Sequence, residues 1–137
     1  KNAPEYLHYG TLEEVLSKSD IVTLHCPLTE DSRNLINQDR IAQMKKGAIL
    51  INAARGPIVD SKALADALNS GYLRGAGVDV FEMEPPLPMD HPLLHSINTI
   101  VTPHIAFASD ESMEIRAEIV FENIQKWMNK EQVNIIL

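Results

Sequence analysis

Three ionisable side chains of different kinds each follow closely after a run of apolar residues. Arg55 comes directly after AILINAA, Glu84 follows GAGVDVF with Glu82 just before it, and His104 follows TIVTP. A cation, a carboxylate and an imidazole together suit acid–base chemistry on an anionic substrate, because the ordinary pKa of imidazole, about 6.5, lies near neutral pH. If the three runs are neighbouring parallel strands, their carboxyl ends meet at one edge of a sheet. The spacing therefore predicts acid–base chemistry at that edge.

Each of these side chains also has an ordinary structural interpretation. Arg55, in a Gly-Pro turn, fits a solvated loop arginine or an ion-pair partner, and Glu84 before two prolines fits a solvated loop acid. His104 fits a core histidine bonded to a backbone carbonyl. Asp79 lies within an apolar run, where an unpaired carboxylate costs several kcal/mol, so we expect it to have a specific hydrogen-bond partner in any case.

The elements that must position these residues alternate between strands and helices. The predicted strands are 21–26, 48–54, 75–81 and 99–102, with a further short strand at 6–9, and run 48–54 is typical of a strand covered on both faces. Helices are predicted to begin after Thr11, Asn37, Asp60 and Ser109, each a residue type that caps helices. Strands separated by helices imply right-handed crossovers and a parallel, doubly wound α/β sheet. No linker is present, which predicts a single domain over 1–137.

Two helices carry more specific signals. Thr11 and Glu14 form the pattern of a capping box, in which each side chain accepts a hydrogen bond from the backbone of the other. In the last helix, apolar residues recur at steps of four and three, which predicts a buried stripe. That stripe consists of Met113, Ala117, Val120, Ile124 and Trp127.

Composition narrows the class of partner and compartment. The net charge of −7 disfavours nucleic acid, because an acidic surface repels phosphates. No apolar run reaches the roughly 20 residues of a membrane helix, so no membrane contact is expected. Cys26 is the single cysteine and cannot form an internal disulfide, which fits a reducing, cytoplasmic setting.

Two motifs suggest functions that their context does not support. Gly75-Ala76-Gly77 resembles the start of a dinucleotide fingerprint, but the third glycine is absent and the pair leads into a strand rather than a helix. His91 and His95 have the spacing of a helical metal pair, but Pro92 lies between them and no glutamate follows His91. We therefore predict no metal site.

Four ordered segments carry a resemblance to a known family. They are His25–Thr29 (HCPLT), Asn52–Asp60 (NAARGPIVD), Gly77–Pro85 (GVDVFEMEP) and Thr102–Ala106 (TPHIA). In this order, each after a predicted strand, they resemble the D-isomer-specific 2-hydroxyacid dehydrogenases, and the resemblance extends over essentially the whole chain. It implies a partial Rossmann-type sheet with flanking helices and a long C-terminal helix.

The resemblance implies a catalytic role for each of the three side chains. Arg55 matches the arginine that binds the substrate carboxylate and polarises the carbonyl, a task suited to its planar fork of donors. His104 matches the general acid that protonates the carbonyl oxygen, and acts as base in the reverse direction. Glu84 matches the carboxylate that orients the imidazole, unlike the formate dehydrogenase branch, where glutamine has this place. The expected substrate is a small 2-oxo or 2-hydroxy acid.

The implied cofactor is NAD, with NADP as the open alternative. Asp79 matches the residue at the nicotinamide carboxamide. Further positions match the cofactor-lining residues of the family: Cys26, Pro27, Ala53, Ala54, Arg55, His104 and Ala106. The family's glycine-rich loop and most of its substrate domain are absent from this sequence, so we interpret 1–137 as the second half of the dinucleotide-binding domain. We expect this piece alone to be inactive, to bind NAD weakly and to self-associate, with a homodimer as the expected state of the enzyme.

The resemblance leaves one alternative function open. The C-terminal-binding-protein corepressors resemble the same family and keep the same three side chains, yet act mainly as dinucleotide-dependent scaffolds. The compact, acidic end of the chain favours a metabolic enzyme over such a scaffold. A truncated, non-catalytic copy is a third interpretation, which the intact spacing of the site residues disfavours.

Overall fold

The computed structural model describes residues 4–83 and 86–135, so Glu84 lies outside the described residues. Four parallel strands form one sheet in the order β1-β2-β3-β4. They are β1 Ile21–Leu24, β2 Ile49–Asn52, β3 Gly75–Val78 and β4 Thr99–Val101. The predicted parallel α/β sheet is confirmed. Each strand is shorter than predicted because the apolar runs continue into the turns that follow.

Four α-helices occur where the capping residues predict them. They are α1 Leu12–Lys18, α2 Gln38–Gln43, α3 Ser61–Asn69 and α4 Asp110–Met128, and short 3-10 helices span Gly56–Ile58 and Pro92–Leu94. Thr11, Asn37, Asp60 and Ser109 each accept a backbone N–H at the helix start. The capping box of Thr11 and Glu14 is confirmed. None of the helices in the two described ranges is long and apolar enough to span a bilayer.

The hydrophobic core lies on one face of the sheet. Alternate residues such as Val22, Leu50 and Val78 are buried, together with the apolar face of α3. On the opposite face Ile51 is exposed and Ile100 is 73% exposed. The prediction that both faces of β2 are covered was therefore wrong for this chain, because a run of apolar residues shows that a strand avoids water but does not supply the second covering layer.

Two further expectations also failed. Residues 6–9 form no strand. None of the α4 residues is buried, so the predicted buried stripe of this helix is exposed, with Trp127 at 64%. The periodicity of α4 correctly identifies a helix with an apolar face, but periodicity does not specify which surface covers that face.

The chain separates into two compact units, residues 1–104 and 105–137. The first contains the whole sheet and helices α1 to α3. The second contains α4, which begins at a capping box between Ser109 and Ser112. Within this unit the guanidinium of Arg116 lies 5.3 Å from the centre of the Phe107 ring, a distance typical of a cation–π contact.

Candidate active site

The turn that presents Arg55 is shaped by a buried asparagine. Asn52, the last residue of β2, is 2% exposed. Its side-chain amide donates to the carbonyl of Arg55 at 3.0 Å, and its side-chain oxygen accepts the backbone N–H of Ala54 at 3.1 Å. A buried amide needs hydrogen-bond partners, and Asn52 finds them in the backbone of the turn that follows it. The exposed Arg55 therefore projects from a fixed turn.

Gly56 brings this turn against the segment after β3. A Cβ atom at Gly56 would lie 1.8 Å from the carbonyl carbon and oxygen of Phe81 and 2.5 Å from the backbone nitrogen of Glu82. No side chain fits at such distances, so the Phe81–Glu82 peptide lies directly on Gly56. Only glycine permits this approach of two backbone segments.

Asp79 links the ends of β2, β3 and β4. Its backbone N–H donates to the carbonyl of Asn52 at 2.9 Å, and its carbonyl accepts the backbone N–H of His104 at 2.8 Å. The hydroxyl of Thr102 donates to a carboxylate oxygen of Asp79. Asp79 is 5% exposed, and the prediction that this buried acid has a specific partner is confirmed.

His104 adopts an unusual backbone conformation at the carboxyl end of β4. Its φ is +59°, in the left-handed region that residues other than glycine rarely adopt. Such a conformation costs roughly 1–2 kcal/mol and persists only where surrounding contacts enforce it. The backbone from which the half-buried imidazole extends is therefore held in a strained conformation by its surroundings.

The carboxyl ends of β2, β3 and β4 enclose one cavity of about 180 Å³. It is lined by Arg55, Gly56, Pro57, Asp79, Val80, Phe81, Glu82, Met83 and His104. Arg55, Asp79 and His104, which the sequence predicts to meet, thus lie around the same space. Glu84, the third predicted catalytic residue, lies outside the described residues, and its role stays a prediction.

The predicted cofactor-lining residues differ in accessibility. Cys26 is half-buried and Pro27 is exposed, both beyond the end of β1. Ala53 is exposed beyond β2, whereas Ala54 is buried against the core. Ala106 is exposed and belongs to the second unit of the chain. Their assignment to a cofactor stays a prediction.

A polar cluster beside the cavity was not predicted. Glu82 accepts hydrogen bonds from the hydroxyl of Ser61 at 2.8 Å and from Nε2 of His91 at 3.2 Å. Partial burial raises the pKa of Glu82, but the hydrogen bonds from its own backbone, from Ser61 and from His91 outweigh burial and leave the pKa below its ordinary value. Within residues 4–83 and 86–135, no three acidic, histidine or cysteine side chains are grouped as metal ligands.

Comparison with known proteins places the sheet and the four sequence motifs in one family. The family model described as "D-isomer specific 2-hydroxyacid dehydrogenase, NAD binding domain" matches residues 1–106. The chain belongs to this family. Among family relatives, it is 48% identical over 118 residues to a glyoxylate reductase of Thermofilum pendens, covering 86% of this chain and 34% of the relative. It is 41% identical over 132 residues to a hydroxypyruvate reductase of Blautia hydrogenotrophica, covering 96% of this chain and 41% of the relative.

A solved structure is similar to this chain in fold. The D-lactate dehydrogenase of Lactobacillus jensenii, crystallised with NAD⁺, superposes with a TM-score of 0.86 at 34% identity, covering 100% of this chain and 46% of that one. The chain therefore spans less than half the length of these relatives.

Proposed function

We propose that this chain supplies the catalytic edge and half of the dinucleotide-binding domain of an NAD-dependent D-2-hydroxyacid dehydrogenase. The reaction interconverts a small 2-oxo acid and its 2-hydroxy acid by hydride transfer. The observation that carries the proposal is the single cavity around Arg55, Asp79 and His104. Family membership supports it, because the relatives compared above are named as reductases of such acids.

Arg55 is suited to binding the carboxylate of the substrate. One of its guanidinium nitrogens donates to the carbonyl of Ala54 at 2.6 Å, which braces the side chain while the residue remains exposed. A guanidinium has five N–H donors in a planar fork, so the remaining donors match the two oxygens of a carboxylate. The same positive charge stabilises the oxygen of the adjacent carbonyl as it gains electron density.

His104 is the proposed general acid. During reduction its imidazolium gives a proton to the carbonyl oxygen of the substrate, and the ring is left neutral. During oxidation the neutral ring takes the hydroxyl proton back. Glu84 is proposed, from the family resemblance, to orient the imidazole, and an orienting carboxylate of this kind selects which ring nitrogen carries the proton.

The residues at this edge fit the nicotinamide end of NAD. Small or apolar side chains (Cys26, Pro27, Ala53) follow β1 and β2 and suit contact with a flat ring, and Asp79 provides polar atoms directly after β3. When bound, NADH supplies the hydride that reduces the carbonyl carbon. NADP is the second candidate cofactor. In open α/β sheets ligands bind beyond the carboxyl ends of the strands, where these residues lie.

The competing function is a dinucleotide-dependent scaffold. Both functions require NAD binding, but only the enzyme couples it to turnover. The test is to express the full-length protein that contains this sequence and to screen 2-oxo acids, including glyoxylate, hydroxypyruvate and pyruvate, for oxidation of NADH and NADPH. Turnover of one of these acids supports the proposal. Tight NADH binding without turnover of any acid would favour the scaffold.

Two proposals concern the 137-residue chain by itself. It contains no G-x-G-x-x-G loop, so the backbone donors that normally bind the pyrophosphate are absent from it, and we expect weak NAD binding and no activity. The exposed apolar sheet face, which includes Ile51 and Ile100, favours self-association. Tight NAD binding in calorimetry, or a monomer at high concentration in light scattering, would contradict these respective expectations. For the enzyme we propose a homodimer in the cytoplasm.

A further inference from the structure

The carboxylate of Glu82 joins the start of α3 to the residue before the second 3-10 helix. One oxygen accepts the hydroxyl of Ser61, the first residue of α3, at 2.8 Å. The other accepts from Nε2 of His91 at 3.2 Å. Both oxygens of Glu82 are thus engaged by groups of the protein, although Glu82 itself lines the cavity. We call these three residues the Glu82 clamp.

His91 is a rigid member of the Glu82 clamp. Its side chain is 4% exposed, and its ring meets the Phe81 ring edge-on with centroids 5.2 Å apart. Its Nδ1 accepts the backbone N–H of Leu93 at 3.3 Å. Because Nδ1 is the acceptor, the neutral ring carries its proton on Nε2 and donates it to Glu82. The contact therefore does not require a charged histidine.

The Glu82 clamp fixes the peptide that Gly56 contacts. The Phe81–Glu82 peptide lies where a Cβ of Gly56 would be, at 1.8 Å. A shift of Glu82 therefore moves the backbone of Gly56 and, with it, the neighbouring Arg55. The other side of the same turn is held by the two hydrogen bonds of the Asn52 side chain.

We propose that Glu82 is a positioning residue, which holds the Phe81–Glu82 peptide against Gly56 and thereby sets where Arg55 meets the carboxylate of the substrate. This inference rests on the proposed function, because it assumes that Arg55 binds a 2-oxo acid. It assigns Glu82 no contact with the substrate and no proton transfer. A misplacement of about 1 Å at such a site can cost up to about a hundredfold in rate.

The test compares Glu82→Ala, Glu82→Gln and Ser61→Ala in the full-length protein. Glu82→Ala removes both contacts, and we expect KM for the 2-oxo acid to rise by about tenfold while the Kd of NADH changes less than about twofold. Glu82→Gln keeps an acceptor for His91 and a group that bonds Ser61, so it recovers most of that loss. The control is Lys62→Ala, an exposed residue next to Ser61, which leaves the kinetics unchanged.

A double-mutant cycle separates this role from general stability. If Glu82 acts through Arg55, Glu82→Ala adds little to KM in an Arg55→Lys background, since the bidentate contact that it positions is already lost. Ser61→Ala replaces Glu82→Ala in the cycle if the latter does not fold. Additive effects in the cycle, or a KM for Glu82→Ala equal to that of Lys62→Ala, overturn the inference alone. Absence of turnover by the wild-type protein overturns the proposed function and the inference with it.

Discussion

His104 is hydrogen-bonded to Asp79 through the backbone, from its N–H to the carbonyl, at 2.8 Å. The bond joins the segment after β4 to the end of β3 and holds His104 at its positive φ. The Thr102 hydroxyl adds a second link to the carboxylate of Asp79. The backbone that carries the imidazole is therefore held by the sheet edge, and substitutions at other residues of the cavity leave these contacts in place.

Arg55→Lys keeps the positive charge but loses the planar fork. We expect kcat/KM for the 2-oxo acid to fall by about a hundredfold, because an ammonium cannot bind a carboxylate through two parallel hydrogen bonds. Steady-state kinetics of the full-length protein measure this loss. Arg74→Lys, at an exposed arginine whose contact to Ala48 uses only the backbone, is the matched control and leaves kcat/KM unchanged. If Arg55→Lys changed kcat/KM no more than Arg74→Lys does, Arg55 would have no role in binding the substrate.

Asn52→Ala removes the side chain that shapes the Arg55 turn. The buried backbone N–H of Ala54 loses its partner, and the carbonyl of Arg55 keeps only the N–H of Ile58 at 3.3 Å, so the free energy of unfolding should fall by about 1–3 kcal/mol. Urea unfolding monitored by circular dichroism measures it. Asn69→Ala, which removes one exposed contact to the backbone of Ile97, is the control and should cost less than about 1 kcal/mol. Equal losses in both variants would show that the turn does not depend on Asn52.

Gly56→Ala places a methyl group onto the Phe81–Glu82 peptide. Since backbone atoms would have to move, we expect a loss of at least about 2 kcal/mol in stability and a large loss of turnover. Gly77→Ala is the matched control, because its nearest neighbour, the Ile51 side chain, lies 3.8 Å from the added Cβ. Thermal unfolding of both variants distinguishes them. Equal melting temperatures would contradict the close approach at Gly56.

The Glu82 clamp should stabilise the folded protein less at acidic pH than at neutral pH. The pKa of Glu82 is lowered in the folded protein, so its ionised form stabilises the fold above the unfolded pKa of about 4.5, and this contribution is lost as the pH falls through the folded value. Glu82→Gln lacks this titration. The difference in melting temperature between wild type and Glu82→Gln should therefore shrink from pH 6 towards about pH 3. A melting-temperature difference that grows as the pH falls would contradict this prediction.

The sequence predicts the strands and helix starts well because their signals are local. Asp60, for example, caps α3 through a bond to a residue only three positions away. The meeting of Arg55 and His104 also follows, since parallel strands bring their carboxyl ends together. A signal for Asn52 is also present, because a polar residue within an apolar run needs a hydrogen-bond partner when it is buried.

The Glu82 clamp could not be predicted in the same way. Glu82 and His91 are nine positions apart, and the spacing of His91 suggests only a metal ligand, although its contacts are to a carboxylate and a backbone N–H. The contact at Gly56 depends on how closely the segments after β2 and β3 approach each other, which the sequence pattern does not specify. For α4, the apolar face is visible in the sequence, but the surface that covers it is not.

The central claim is that His104 transfers the proton in the same site in which Arg55 binds the substrate carboxylate. The most direct test is NADH oxidation by the full-length protein and by His104→Ala, using the 2-oxo acid that the wild type reduces fastest. We predict that His104→Ala lowers kcat by a factor of about 10²–10⁴ while the Kd of NADH, measured by fluorescence titration, changes less than about threefold. His8→Ala, at an exposed histidine that does not line the cavity, serves as the control. Near-normal turnover by His104→Ala would contradict the account.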